Sequence, residues 1–544
     1  MQLKSIPFDR LPFSRLFQAY TSDPSTLEPF YEDHPFNPGC ARARAEYLGG
    51  REDEGISRGR LGELLEAFNA RFDPPQEVRD NIARLGEGEA LAVVTGQQLT
   101  LYGGPLYTVY KTLTAIHYAR RMEERLGRLV VPVFWLADED HDYDEVRHLT
   151  LLDGHEPRRV ELPPQPRSRQ PVAHRILPPE LEETREEARK MLFDTDFSRD
   201  LWEGLDRHWS AGSRFDEAFG GWLLSLFGHR GLVLFGSSCE GVKEAGRELM
   251  ARSVEQADEA REALEVQSAR LEEQFHRQVT LYDSNLFRLD GQGGRVKIGR
   301  EGDRWEAGPG DSWSTEELAQ EVRERPESFS PNVFLRPLLQ DRLLPTLAYV
   351  AGPGEVAYFG QMKGLYRCFG MRMPLILPRL SATLIEPAID RILGELPFEL
   401  SEYARRIEDL ESDYVDRTEQ ADIEDLFSSW KKEAEKISRQ PTEAVANIDP
   451  TLKGAAGKAT ATFYNELDKL KGKVYRAVKQ QEETQLRRIR RIKGELFPGD
   501  GAQERTLAAI WYMNKYGTGL WDRLLERLEE EEDDPFNHHK LIYL

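Results

Sequence analysis

Two polar clusters, each placed at the end of an apolar, β-branched run, hold the residue types that could do chemistry in this 544-residue chain. The first, Thr95-Gly-Gln-Gln-Leu-Thr-Leu-Tyr-Gly-Gly-Pro-Leu-Tyr-Thr-Val-Tyr-Lys111, follows Leu91-Ala-Val-Val94. The second, Trp135-Leu-Ala-Asp-Glu-Asp-His-Asp-Tyr-Asp-Glu145, follows Leu129-Val-Val-Pro-Val-Phe-Trp135. Such runs read as buried parallel strands, and α/β sheets bind ligands at the ends of those strands. In the first cluster Gly96, Gly103 and Gly104 allow a close backbone approach, and N–H groups at a helix start attract anions. Lys111, one to two turns into that helix, could reach a phosphate or carboxylate. The cluster is neither a Walker A loop nor a G-x-G-x-x-G fingerprint. In the second, Asp138, Glu139, Asp140, His141, Asp142, Asp144 and Glu145 are a charge density that calls for cations, such as Mg²⁺-nucleotide or a substrate ammonium. A histidine among carboxylates is suited to acid–base work. A solvated helix start would also concentrate Asp and Glu.

The elements that must carry these clusters form a βαβ unit: a strand over 90–95, a helix over 105–126 with Pro105 in its first turn, and a strand over 129–136. Residues 162–179 are rich in Pro and Arg and read as a linker. A short strand over 231–235 precedes one long helix over 240–275, then a β-hairpin over 285–298 around a Gly-rich turn. Further strands are expected at 347–350 and 374–377, separated by a loop and a helix running through Met362. Arg336, Glu355, Tyr358, Gln361 and Arg379 follow or flank these strands, while Ser381 and Thr383 read as helix caps. Residues 387–495 are helical and charged, with an apolar seam of Phe463, Leu467, Leu470, Val474, Ala477, Leu486, Ile489 and Ile492. Turns at Gln440-Pro441 and Ile448-Asp-Pro450 make it an antiparallel hairpin. Two short helices and the acidic run Glu529–Asp534 close the chain, and His538-His539 reads as an exposed end.

Composition narrows the class of protein. A net charge of −22 argues against nucleic acid or anionic membrane as the main partner. The local basic run Arg487-Arg-Ile-Arg-Arg-Ile-Lys493 fits a solvated helix face. Three cysteines, Cys40, Cys239 and Cys368, suggest neither a disulfide framework nor metal-ligand spacing. No apolar run reaches the ~20 residues of a membrane span, and the first residues lack a signal-peptide core. A cytoplasmic enzyme is expected, without a tightly bound metal.

These motifs resemble the cysteine-adding enzyme of bacillithiol biosynthesis, the BshC family. The resemblance is carried by Thr95-Gly-Gln-Gln98, Gly103-Gly-Pro-Leu-Tyr-Thr108 with Lys111, and Glu139-Asp-His-Asp142 with Glu145. It continues through Ser330-Pro-Asn-Val-Phe-Leu-Arg-Pro337, Gln340-Asp341, Leu344-Pro345 and Ala348-Tyr-Val-Ala-Gly-Pro-Gly-Glu355. Pro378-Arg-Leu-Ser-Ala-Thr-Leu-Ile-Glu386, Gln503-Glu-Arg505 and Asn514-Lys-Tyr-Gly517 complete it. One departure is visible: where the family tends to an acidic Asp-Pro-type loop, this chain has Gly236-Ser-Ser-Cys-Glu240.

The resemblance implies an α/β Rossmann-like core with parallel sheet, interrupted by connecting-peptide inserts and followed by an α-helical coiled coil that supports a homodimer. The expected divisions are core 1–160 and 326–386, inserts 161–230 and 231–325, coiled coil 387–495 and C-terminal helices 496–544. The implied reaction adds L-cysteine to glucosaminyl-malate; because a carboxylate resists attack by an amine, ATP activation of the carboxylate is expected, with ATP or ADP, with or without Mg²⁺, as the nucleotide. On that reading His141 is the base, positioned by Asp140 or Asp142, and Asp138 or Glu139 binds the cysteine ammonium. Arg336 and Arg379 bind the malyl carboxylates, and the Thr95–Lys111 segment holds phosphate or carboxylate oxygens. Thr95, Gly96, Gln97, Gln98, Gly104, Tyr107, Glu355, Tyr358, Gln361 and Ser381 complete the expected substrate site, and Asn514, Lys515, Tyr516 and Gly517 the nucleotide site. Two alternatives share these features: another ATP-using acyl or nucleotidyl transferase on a core distantly like class I aminoacyl-tRNA synthetases, and a non-enzymatic coiled-coil interaction protein.

Overall fold

The apolar runs become the strands β1 (Leu91–Gln97), β2 (Val130–Leu136), β3 (Val233–Gly236), β4 (Thr346–Ala351) and β5 (Leu375–Pro378). The computed structural model describes all residues except 51–55, 89, 166–169, 292, 309, 416, 418–420, 482 and 532–534. Parts of the Pro/Arg-rich linker and of the acidic run Glu529–Asp534 therefore lie outside the described residues. The five strands lie in the order β5-β4-β1-β2-β3, every neighbouring pair parallel. All are buried along nearly their whole length, which is why they read as continuous apolar runs rather than alternating ones. Pro132 stands inside β2, and β3 begins to pair only at Val133, so the proline has no outer neighbour to disappoint.

The helix α1 (Leu106–Leu126) connects β1 to β2 and ends at Gly127 in the left-handed region. Pro105 caps it from outside rather than forming its first turn. From β1 the sheet grows through β2 and β3 on one side and through β4 and β5 on the other. That reversal opens a crevice between the C-terminal ends of β1 and β4, the place where doubly wound sheets take their ligands.

Other elements depart from expectation. The helix expected over 240–275 is two, Glu240–Glu255 and Ala257–Glu272, because Gln256 (φ −107, ψ 28) leaves helical geometry. The hairpin forms as Leu286–Leu289 against Arg295–Lys297, with Phe329–Pro331 as a third, antiparallel strand. The chain ends pair with each other: Gln2–Ile6 runs antiparallel to His539–Tyr543, whose other neighbour is Ala382–Ile385. His539 is thus buried rather than an exposed end.

Two compact units result. One comprises 1–153, 157–384 and 503–544, so the C-terminal segment rejoins the sheet-bearing unit; the other comprises 154–156 and 385–502. In the second, α2 (Ala421–Ile448) turns back through Pro450–Leu452 into α3 (Lys453–Gln481). Pro441 does not break α2; its lost hydrogen bond falls beside exposed Ile437, where water can serve the freed carbonyl. Ile423 and Phe427 of α2 cover Leu467 of α3, but Leu426, Trp430, Ile437, Phe463 and Leu470 remain 40–71% exposed. No helix among the described residues is long and apolar enough to cross a membrane.

Candidate functional site

A cleft of about 450 Å³ opens at that crevice. Its walls come from the ends of four strands: Gly96 and Gln97 from β1 with Gln98 just beyond it, Ala137 and Asp140 beyond β2, Gly352–Glu355 beyond β4, and Arg379 beyond β5. Arg336, Tyr349 and Tyr358 line it from the second half of the sheet, Gln278, Val279 and Arg295 from the insert, and Arg505 from the C-terminal segment. Gly96 is required by packing, since a Cβ there would lie 2.8 Å from the Trp135 carbonyl oxygen. Gly104 (φ +69) is required by the turn, where a Cβ would meet Thr100 Oγ1 at 2.1 Å.

Lys111 is buried and fully engaged. Its ammonium donates to Gly96 O at 2.7 Å and Gln97 Oε1 at 3.1 Å, and pairs with Glu355 Oε2 at 2.5 Å. These three partners use its three protons, so it braces β1 against the β4 turn instead of reaching for a substrate anion. Glu355 in turn accepts from the Gly352 N–H (2.7 Å) and the Tyr349 hydroxyl (2.8 Å). Burial alone would raise its pKa, but the Lys111 ammonium and these donors hold it below the usual carboxylate range.

The acidic cluster divides in two. Asp138 and Glu139 point inward: Asp138 accepts from the Ser237 and Ser238 N–H groups (3.1 and 3.2 Å) and the Ser238 hydroxyl (2.6 Å). Burial, with Glu139 beside it, pushes Asp138 up to about 6. Glu139 accepts from Ser237 Oγ at 2.7 Å and pairs with Lys243 at 2.8 Å. Neither lines the cleft, so neither is placed to take the cysteine ammonium. The departing loop Gly236-Ser-Ser is what holds them. Asp140 and Glu145 do line it, and one Gln98 amide nitrogen donates to both, at 2.7 and 2.8 Å. Against the burial that would raise it, the Gln98 hydrogen bond holds Asp140 below its ordinary pKa, hence ionised.

His141 is exposed, 3.9 Å from Asp140 and outside the cleft wall. Asp142 caps the following helical turn through the Glu145 N–H (3.1 Å), so neither aspartate orients the ring as expected. Gln361 is buried and clamps the backbone of Gln278 and Val279, placing those two residues rather than lining the cleft itself. Thr95 bonds across to Val350 O and Ser381 to Glu504, both buried away from it. Tyr107 contributes to the wall, with its hydroxyl 3.4 Å from Gln97 Nε2. The segment 514–517 is elsewhere: Asn514 bonds Ser198 and the Phe193 carbonyl, Lys515 lies over Trp511, and Gly517 packs on Phe197. These contacts brace a helical insert, and none of the four residues lines the switch-point cleft.

Charge on the walls is uneven. Five cations (Lys111, Arg295, Arg336, Arg379, Arg505) face three carboxylates (Asp140, Glu145, Glu355). Lys111 is paired with Glu355 and Arg379, through one of its nitrogens, with Glu504, whereas Arg336 and Arg505 form no ion pair among the described residues. Burial would lower Arg336, but surrounding tyrosines, Glu355 and Asp140 more than restore it, so it stays charged. The sequence reading missed Arg295 and Arg505 as wall residues. The first is hidden in a Gly-rich hairpin; the second stood within a quoted motif, Gln503-Glu-Arg505, without an assigned place.

Sheet order, switch-point cleft and helical second unit define a Rossmann-like protein with a coiled-coil domain. The chain belongs to the BshC family: residues 1–380 match "Bacillithiol biosynthesis BshC, N-terminal Rossmann-like domain" and residues 382–544 match "Bacillithiol biosynthesis BshC, C-terminal coiled-coil domain". A relative from Symbiobacterium thermophilum is 33% identical over the full length of both chains. One from Salinibacter ruber is 33% identical over 95% of each. Both carry the name "Putative cysteine ligase BshC".

Proposed function

We propose that the cleft joins L-cysteine to glucosaminyl-malate through an amide bond, with ATP activating the cysteine carboxylate as an acyl phosphate or adenylate. The observation that carries this reading is the pairing of opposite needs in one cleft: two arginines without ion-pair partners among the described residues, and two carboxylates held by a single amide. Arg336 and Arg505 suit the two malyl carboxylates, which prefer guanidinium partners. Asp140 and Glu145 suit the cysteine ammonium. The name the relatives carry, "Putative cysteine ligase BshC", supports cysteine as one of the joined substrates.

In the joining step the sugar amine attacks the activated acyl carbon. The new C–N bond forms, the C–O bond to phosphate or AMP breaks, and the amine proton leaves to solvent or to an acidic side chain. A carboxylate otherwise resists amines, so ATP supplies the driving force, and Mg²⁺ would accompany it as the nucleotide's counter-ion. All three cysteines are free, which suits the reducing cytoplasm as the place of work. The exposed apolar residues on α2 and α3 suit a second copy, giving a homodimer through the coiled coil.

The test is mass spectrometry of purified protein with ATP, L-cysteine and glucosaminyl-malate. An amide product with matching release of ADP or AMP is expected. Intact substrates after prolonged incubation, or equal product without nucleotide, would overturn the reading.

A further inference from the structure

One cleft arginine is held by a buried chain of hydrogen bonds that reaches the last strand of the protein. Arg379 Nη2 donates to Glu504 Oε1 at 2.6 Å, and its Nη1 to Leu380 O at 2.7 Å. Glu504 also accepts from the Ala382 N–H at 2.9 Å and from Ser381 Oγ at 3.1 Å. Ser381 Oγ lies 2.8 Å from His539 Nδ1, and Thr383 Oγ1 lies 2.9 Å from His539 Nε2. Arg379, Ser381, Thr383, Glu504 and His539 are each at most 4% exposed.

Only one placement of protons satisfies this chain. Glu504 is ionised, because Arg379 outweighs the burial that would raise its carboxyl. An ionised carboxylate only accepts, so the Ser381 hydroxyl must donate to it. Ser381 oxygen then accepts from Nδ1–H of His539. The ring is neutral, burial holding it down at about 4, so its Nε2 lone pair accepts from Thr383. Every bond in the series points its proton toward Glu504, and each bond polarises the next.

We propose that Glu504 and His539 are positioning residues that fix the Arg379 guanidinium at the cleft wall and thereby set affinity for the anionic substrate. The affinity claim rests on the reading of the cleft given above and adds Arg379 to its two arginines: the bonds to Glu504 and Leu380 use two of its five N–H donors, and the guanidinium lines the cleft. The physical reason is economy of motion: an arginine side chain has several rotatable bonds, and a guanidinium held before binding loses less entropy on meeting a carboxylate. Three separate stretches build the holder: the end of β5, the turn Gln503–Thr506, and the strand His539–Tyr543, itself paired to Gln2–Ile6. Both ends of the chain are thereby coupled to the cleft.

Calorimetry should separate this role from general stability. Glu504→Gln and His539→Phe are expected to weaken glucosaminyl-malate binding about tenfold, with cysteine binding unchanged. His539→Asn keeps a donor toward Ser381 and should stay within about threefold of the parent. Parent-like binding by folded His539→Phe, or equal losses for both substrates, would overturn the proposal. Should Glu504→Gln fail to fold, the His539 pair still decides it. Independently, ¹⁵N-histidine NMR of the ligand-free protein should show His539 as the Nδ1–H tautomer; the Nε2–H tautomer would refute the chain. If the parent protein binds no glucosaminyl-malate, the affinity claim falls with the functional reading, while the tautomer still decides the hydrogen-bond chain.

Discussion

Replacing Lys111 with Met should injure the fold more than it injures any direct contact with substrate. The ammonium has three partners within the protein, Gly96 O, Gln97 Oε1 and Glu355 Oε2, and its side chain is 4% exposed. Removing it strands a carboxylate that is 19% exposed and keeps two other donors. Breaking a fully buried pair costs about 3–5 kcal/mol; the residual exposure and surviving hydrogen bonds place this one near the lower end, about 3 kcal/mol. The sheet-bearing unit has about 420 residues, and unfolding entropy near 2.1 cal/mol/K per residue then converts that loss into a melting shift of roughly 3 °C. Glu355→Gln should also destabilise, since it leaves the lysine charge buried. The double variant, which removes both charges, should lose clearly less than the sum of the single losses. Differential scanning calorimetry on the four proteins reads this directly. Additive losses, or a Lys111→Met protein that melts with the parent, would show that the brace is absent.

Three further outcomes are expected. A general base usually contributes 10²–10⁴ in rate; from its exposed, unanchored position His141→Ala should lose less than about tenfold in kcat, whereas Asp140→Asn, which removes a charge partner of the cysteine ammonium, should lose about tenfold or more in kcat/KM for cysteine, and steady-state assays in which His141→Ala loses about a hundredfold or more in kcat would restore it as the base. Asp138 rises in the fold from an ordinary 3.8 to about 6, so the folded state binds more protons than the unfolded one between those values. Its contribution is therefore full below about pH 4 and lost as pH rises through 6; parent stability relative to Asp138→Asn should fall by about 1–3 kcal/mol across that window, and a flat difference in urea titrations would contradict the assignment. Trp430→Glu and Leu470→Glu should convert a dimer to monomer at micromolar concentration with helicity retained, while light scattering that finds the parent monomeric would remove the case for a second copy.

Much of this architecture was written in local pattern. Parallel strands are buried on both faces, so β1, β2 and β4 appear as unbroken apolar runs, and the polar residues after them mark the strand ends without any knowledge of strand order. The hairpin over 285–298 and the helical second unit were legible for the same reason, since turn glycines and helical spacing are short-range signals. Breaks that depend on a single dihedral, as at Gln256, leave no such mark, and Pro441 shows that a nominal helix breaker is tolerated where water replaces the lost bond.

Within the site, residue types could be nominated from sequence but their allegiance could not. Asp138 and Asp140 are two residues apart, yet one turns inward to the Ser237-Ser238 loop and the other faces the cleft. Lys111 reads as a ligand cation until its three protons are found committed, and Gln361 and Ser381 prove to hold other residues in place. Arg505, Glu504 and His539 enter only because the chain returns to the sheet after its helical excursion. Sequence determined which residues carry charge and which strand ends they follow. Tertiary structure alone decided which charges meet, because electrostatic pairing acts across a few ångströms of space, whatever length of chain lies between the partners.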